Sequence, residues 1–367
     1  MSKNIFRKSK KILICPLDWG IGHATRCTPI IKILIELGAE PVICTSGLAA
    51  EFLRLEFPDI QHIVISGYNI KYQQSGSLAS KLIAQSPRLV RAIKQEGREI
   101  REIIRDIEPL ALISDNRLGL GTGLVYSVYM THQLNIQPPS GIAVGGWVAS
   151  ALHRRYMQNY DEVWIPDETY PEGLSGDLSW PVPDGLKVSY TGVLSRFLHQ
   201  KVIVPPGFDV LVLLSGPEPQ RSILERMLID QGAKSDLKIM IVRGKPGETD
   251  LPDVAENISI VNHIPSGKLE NIIAAAPIVI SRSGYSTVMD MAVMGKRAFF
   301  IPTPGQTEQE YLAKFLEQKG FASYSSQKNF DLKIAIETCK GNRNCAFPVL
   351  ENDGFRLQSL LQNLIDR

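Results

Sequence analysis

From Ile278 to Gly295 the chain reads I-V-I-S-R-S-G-Y-S-T-V-M-D-M-A-V-M-G. A short β-branched run, a serine–glycine turn and apolar residues at helical spacing form one strand–loop–helix unit of a parallel sheet. Arg282, Ser283, Gly284, Ser286 and Thr287 stand at the start of that helix. Free backbone N–H groups and the helix dipole make such a position an anion site, and a diphosphate suits it. Asp290, about one turn further on, offers a carboxylate that can accept two hydrogen bonds from a ribose diol. A capped turn with no ligand would use the same serines and glycine, so the neighbouring loop matters. Pro302 to Glu310 (P-T-P-G-Q-T-E-Q-E) carries Gln306, Glu308, Gln309 and Glu310. Mixed amides and carboxylates suit the paired donors and acceptors of a sugar better than they suit a metal.

The same strand–helix alternation runs outward in both directions. Strands are expected at Lys11–Pro16, Pro41–Thr45, Gln61–Ile65, Leu110–Ser114, Val128–Thr131 and Glu162–Pro166, with a long helix from Leu78 to Ile107. The first helix is expected to open with Thr28 as N-cap and Pro29 at its first position, and to end at Gly38. Residues 167–206 are rich in proline and glycine. The alternation then resumes with strands at Phe208–Leu214, Leu237–Val242, Ile258–Val261, Ile278–Ser281 and Arg297–Ile301 and a helix at Pro219–Gln231. A chain of 367 residues, at roughly 100–200 residues per domain, accommodates two. The reading is α/β: two doubly wound, Rossmann-like domains at 1–195 and 207–348. A final helix within 349–367 crosses back to the first domain. Such a pair forms a cleft between the carboxyl ends of its sheets, where these folds bind ligands.

Composition narrows the partners. Apolar residues at 44% and charged residues at 21% exclude disordered and fibrous classes. Forty Lys+Arg against 38 Asp+Glu, a formal charge of +2, removes the electrostatic case for nucleic acid. Cys15, Cys27, Cys44, Cys339 and Cys345 follow no metal or disulfide spacing, which fits a reducing cytoplasm. The basic N-terminus lacks the apolar core of a signal peptide, and no run reaches the roughly 20 apolar residues of a membrane span.

Directly after the first strand comes Asp18-Trp-Gly-Ile-Gly-His-Ala-Thr-Arg26. Two glycines allow a sharp turn and close approach to a ligand. The third glycine of a dinucleotide fingerprint is replaced by Thr25, and no P-loop G-K-[ST] exists. What remains is a polar pair, His23 and Arg26, at the start of a helix lining the cleft, with Gly22 a candidate donor contact. A histidine there titrates near neutrality and can take a proton from an acceptor hydroxyl. A structural cap is the competing reading.

The motifs G-x-G-H-x-x-R at Gly20–Arg26 and S-R-S-G-x-S-T-x-x-[DE]-x-A-x-x-G at Ser281–Gly295, with Glu308-Gln309 in a proline-rich loop, resemble the GT-B-fold glycosyltransferases of family 28. That group includes the enzyme adding N-acetylglucosamine to lipid-linked muramyl pentapeptide; the spacing of the first loop looks more like an uncharacterised prokaryotic branch. The resemblance implies that Ser283, Gly284, Ser286 and Thr287 face a donor diphosphate, that Asp290 holds the ribose and that Gln309 contacts the donor sugar. It also implies that Ser215 and Gly216 form a phosphate-facing loop, from which Glu218 must turn away. Backbone near Ile264 would pair with uracil.

The expected activity is inverting transfer of a sugar from a nucleotide diphosphate, UDP before dTDP, to an acceptor hydroxyl on a glycan, a lipid-linked carrier or a small molecule. No cofactor is expected. His23 is the candidate base, with Asp115 a second candidate or its partner; Asp18, Arg26 and His132 lie on the acceptor side. The helix dipole at Ser286–Thr287, the backbone N–H groups there and Arg282 would stabilise the leaving diphosphate. No D-x-D tripeptide occurs, which fits a metal-independent enzyme, so no metal ligand is assigned. The patch His153-Arg154-Arg155-Tyr156 reads as a solvated helix face. From Lys81 to Glu108 seven cations are interleaved with five acids; they suggest an ordinary exposed face, or a peripheral contact with the inner face of a membrane around cell-envelope glycans. A UDP-sugar epimerase of the same fold and a non-catalytic nucleotide-sugar binder are the alternatives.

Overall fold

The computed structural model describes residues 10–68, 78–136, 143–197, 207–341, 346–350 and 354–367. The first sheet holds β1 (Lys11–Pro16), β2 (Glu40–Thr45), β3 (Gln61–Val64), β4 (Ala111–Asp115), β5 (Tyr126–Met130), β6 (Glu162–Ile165) and β7 (Val188–Tyr190). The second holds β8 (Val210–Leu213), β9 (Ile239–Val242), β10 (Ile258–Val261), β11 (Val279–Ser281), β12 (Ala298–Phe300) and β13 (Ser323–Tyr324). Both are wholly parallel, in the orders β3-β2-β1-β4-β5-β6-β7 and β10-β9-β8-β11-β12-β13. Parallel strands are covered on both faces, and the runs are accordingly continuous rather than alternating: Ile12, Leu13 and Ile14 are fully buried, as are Val279 and Ile280.

The two orders agree over six strands, the first sheet adding β7 at its edge, and each reverses beside its first strand. The switch points therefore fall between β1 and β4 and between β8 and β11, and ligands of doubly wound sheets bind beyond the carboxyl ends at such points. This brings the β1 loop and Asp115 to one side of the cleft, and the β8 and β11 loops to the other.

Ten helices occur among the described residues: α1 (Gly22–Glu36), α2 (Gly47–Glu56), α3 (Leu78–Ile107), α4 (Ala143–Met157), α5 (Gln220–Gly232), α6 (Ser266–Ala275), α7 (Tyr285–Val293), α8 (Thr307–Gln318), α9 (Leu332–Gly341) and α10 (Phe355–Ile365). The expected start of the first helix is wrong. Thr28 is not its N-cap; α1 begins at Gly22 and carries Pro29 in its interior. A proline inside a helix removes one backbone bond and crowds the carbonyl four residues back. Here the burial of Ala24, Arg26 and Cys27 on the extra turns outweighs that cost. The end is as expected, with Gly38 at φ +73°. The proline-rich stretch hides β7, and the short β13 also escaped the apolar-run reading.

The core does not stop at the domain boundary. Ala24, Ile30 and Leu34 of α1 belong to one buried apolar cluster with Val288, Met291 and Ala292 of α7, and the two helices pack together. Leu357, Leu361 and Leu364 of α10 join the same cluster, beside α1. Arg356 pairs with Glu168 at 2.6 Å and Arg367 donates to the Tyr126 hydroxyl at 3.1 Å, both on the first sheet's side. Among the described residues no helix is long and apolar enough to cross a membrane. Arg91, Lys94, Arg98, Arg101 and Arg105 of α3 are exposed, as are Glu102 and Asp106 among them.

Candidate functional site

The β1 loop turns at Gly20, whose φ of +85° favours glycine. Because α1 starts early, His23 and Arg26 stand on its first turns, three residues apart and on one face. That face meets the end of β4. Arg26 Nε donates to Asp115 Oδ2 at 2.7 Å, and Nη2 reaches Asp115 Oδ1, a bidentate pair with both side chains buried. His23 Nδ1 lies 3.2 Å from Asp115 Oδ2 and 2.8 Å from Arg26 Nη2. His23 keeps 16% of its side-chain area exposed, against none for Asp115. With Nδ1 engaged, Nε2 is the nitrogen left for a ligand.

Two expectations change. Asp115 is no base: burial alone would raise its carboxyl, but Arg26 and then His23 outweigh burial and hold it down to about 2. It is the partner of His23. Arg26 is 2% exposed, so it is an internal hub rather than an acceptor contact.

The hub extends across the cleft. Arg26 Nη1 approaches His132 Nδ1 at 3.2 Å, and His132 Nε2 lies 2.8 Å from Glu308 Oε1. Gln133 Nε2 donates to Glu308 Oε2. The His132 ring stacks on Tyr285 of α7, centroids 4.1 Å apart and planes within 7°. His132 therefore faces Glu308, in the loop expected to hold the donor, rather than an acceptor. Burial lowers its tendency to protonate, partly offset by Glu308. Burial raises Glu308, but His132 and Arg26 outweigh it and lower the carboxyl overall. With 32% of the Glu308 side chain open, solvent screens that pull. Asp18 is wedged rather than presented: its Oδ2 lies 3.4 Å from Ser46 Oγ, and a Cβ on Gly67 would come within 1.9 Å of that oxygen.

On the other side, Gly284 precedes α7 as its N-cap, and Ser286 Oγ donates to the Gly22 carbonyl at 2.7 Å, tying the two loops together. Thr287 is half-buried on the same turn. Two residues of the motif face inward. Arg282 is fully buried and donates to the carbonyls of Ile301, Pro302 and Gln220 and to Gln327 Oε1. It braces the second sheet and does not face the cleft; burial lowers it to about 10. Ser283 Oγ donates to the Gln309 carbonyl at 2.8 Å, so only its backbone remains for an anion. Asp290 Oδ1 accepts from Ser195 Oγ at 2.7 Å. Burial, only partly offset by Arg196 and Ser195, raises Asp290 to about 6. Gln309 Oε1 accepts from Thr303 N, which orients its amide nitrogen toward the Gly284 turn.

Gly216 takes φ +98° and lies open beside Thr303 Oγ1, 3.6 Å from where a Cβ would stand. Ser215 is half-buried in the same loop. Glu218 does turn away, onto Arg221 Nε at 2.8 Å and Ser222 N at 3.2 Å. Ile264 is buried behind the β10 loop, whose His263 packs edge-on against Phe52 of α2. Sequence reasoning missed Gln133, Tyr285 and Thr303. The last has a buried hydroxyl with no partner among the described residues, and its only signal was the T-P-G-Q run. His153 is no part of a solvated face: Tyr129 OH meets its Nε2 at 3.1 Å, and burial lowers it to about 4.

Residues 218–356 match the family model for the glycosyltransferase family 28 C-terminal domain. An uncharacterized glycosyltransferase of Methanosarcina mazei is 22% identical, the match covering 91% of each chain. The UDP-N-acetylglucosamine–N-acetylmuramyl-(pentapeptide) pyrophosphoryl-undecaprenol N-acetylglucosamine transferase of Listeria welshimeri is 21% identical over 86% of this chain and 87% of that one. The crystal structure of CalG4, the calicheamicin glycosyltransferase, aligns over 98% of this chain and 99% of that one, with a TM-score of 0.62 at 14% identity. At that identity the likeness shows the fold, which is GT-B.

Proposed function

We propose, for a chain that is a GT-B-fold glycosyltransferase resembling family 28 and carrying its C-terminal domain, that it moves a sugar from a UDP-sugar to an acceptor hydroxyl with inversion and without a metal. The observation that carries the reading is His23, braced by Asp115 at 3.2 Å on the first domain and tied through Gly22 to the α7 N-terminus at 2.7 Å. A proton acceptor and an anion-stabilising helix end thus face one gap.

Asp115 and Arg26 ask opposite things of His23. Asp115 accepts only from an Nδ1–H, whereas Arg26 donates only to a bare Nδ1. The Asp115 partnership leaves the Nε2 lone pair free and is the competent state. As the acceptor oxygen bonds to the anomeric carbon, its proton passes to His23 Nε2 and the bond to the diphosphate breaks on the opposite face. Asp115 stabilises the imidazolium that forms. The α7 dipole, the backbone N–H groups of residues 284–286 and the Thr303 hydroxyl receive the charge of the leaving diphosphate. Glu308 and Gln309 take the sugar hydroxyls and Asp290 the ribose. The acceptor is a glycan, lipid-linked or small-molecule hydroxyl, met in the cytoplasm or at the inner membrane surface.

The test is nucleotide release by the purified protein from a panel of UDP- and dTDP-sugars, with and without lipid and glycan acceptors. Acceptor-dependent release of one nucleotide is expected. Binding without release or isomerisation in any mixture would sink the enzyme reading.

The ribose role of Asp290 has a pH signature. Its folded pKa of about 6 lies above the ordinary 3.8, so the acid form favours the fold, and that contribution is lost as pH rises from 3.8 through 6. Hydrogen bonds from a diol favour the anion instead. Affinity for a UDP-sugar, whose diphosphate diester lacks a monoester's second ionisation near pH 6, should rise as pH passes through 6. Asp290→Asn should flatten that rise in calorimetric titrations at pH 5 to 8; an unchanged profile would remove Asp290 from the ribose.

A further inference from the structure

We infer that His132 and Gln133 of the first domain complete the donor-sugar pocket by fixing the Glu308 carboxylate, so that selection among sugars requires the closed cleft. This rests on the reading that Glu308 and Gln309 meet the donor sugar.

The hydrogen-bond polarity leads to it. Arg26 has only donors, so the His132 Nδ1 it faces at 3.2 Å is bare. The ring proton then sits on Nε2, aimed at Glu308 Oε1 at 2.8 Å. Gln133 occupies the other oxygen, Oε2. A carboxylate has about four lone-pair sites, so one stays open on each oxygen, enough for two neighbouring sugar hydroxyls. The stack on Tyr285 sets the ring plane of His132, and Gln133 N donates to Thr131 Oγ1 at 3.1 Å, holding the base of its side chain. Both ring nitrogens of His132 are committed, which leaves it none for an acceptor.

The carboxylate therefore belongs to the nucleotide-binding domain, while its orientation is supplied by the opposite domain. Nucleotide alone, held at the α7 end and the β8 loop, does not need that contact. A hexose epimer that must place two hydroxyls on Glu308 does. Hydrogen-bonded recognition of hydroxyls discriminates far more sharply than apolar packing.

The experiment compares wild type with His132→Ala, Gln133→Ala, the double variant and His132→Gln. Calorimetry on the full chain gives affinities for UDP, UDP-glucose and UDP-galactose, and for dTDP with its glucose and galactose derivatives. The expected result is a glucose-to-galactose ratio that falls at least tenfold toward unity in the double variant, while affinity for the free nucleotide stays within twofold. His132→Gln keeps a donor toward Glu308 and should retain most of the ratio. An unchanged ratio in the double variant would overturn the inference, as would a parallel loss of nucleotide affinity, which would mark a general packing role. Wild type that binds none of these nucleotide sugars would instead overturn the donor reading, and the inference with it.

Discussion

Replacing His23 with Ala should slow sugar transfer by roughly two to four orders of magnitude, the usual worth of a positioned general base. Nucleotide affinity should stay within about twofold, because the proposed anion site at the α7 N-terminus lies on the other domain. The residue sits on the first turn of α1 with its Nδ1 held and part of its ring open, so truncation removes the proposed base without exposing a core. Steady-state turnover alongside titration with UDP checks both halves. Equal turnover in the variant would remove His23 from the chemistry.

Asp115→Asn should be the most destabilising single change at the site. It leaves the Arg26 guanidinium, 2% exposed, without a counter-charge. Breaking a buried ion pair in this way typically costs about 3–5 kcal/mol. The sign with pH follows from the depressed carboxyl. Its folded pKa of about 2 is below the ordinary 3.8, so the stabilisation is fully present above 3.8 and lost as pH falls through 2. Chemical denaturation of wild type and variant should therefore differ fully at neutral pH and converge toward pH 2. A second comparison separates charge from packing: Arg26→Met with Asp115→Leu should be less destabilising than either Asp115→Asn or Arg26→Met alone. Additive losses would show that the pair is not coupled.

Much of this was readable from the chain. The switch-point loops announced themselves because glycine and serine between a strand and a helix leave local marks, and the doubly wound alternation is a matter of short-range period. What stayed hidden depends on side-chain direction. Arg282 follows a strand residue that is buried, and nothing in S-R-S-G tells that its guanidinium turns back to Gln220 and Ile301. The partnership of Arg26 with Asp115 spans 89 residues and that of His132 with Glu308 spans 176, so neither has any periodicity to betray it. Pro29 misdirected the start of α1 because the proline rule is local while the burial that overrides it is not.

The return of α10 to α1 has a consequence for the order in which the molecule is made. Ribosomal synthesis delivers the first sheet before the second, yet the face of α1 that Leu357, Leu361 and Leu364 cover stays bare until α10 has been made. The first sheet precedes the second along the chain, and α1 receives this cover after both. A nascent chain stalled anywhere before α10 would carry an exposed apolar stripe, the unfinished hydrophobic surface that folding assistants meet. A ribosome-bound intermediate should therefore be stickier than the released protein, although both sheets have already been translated.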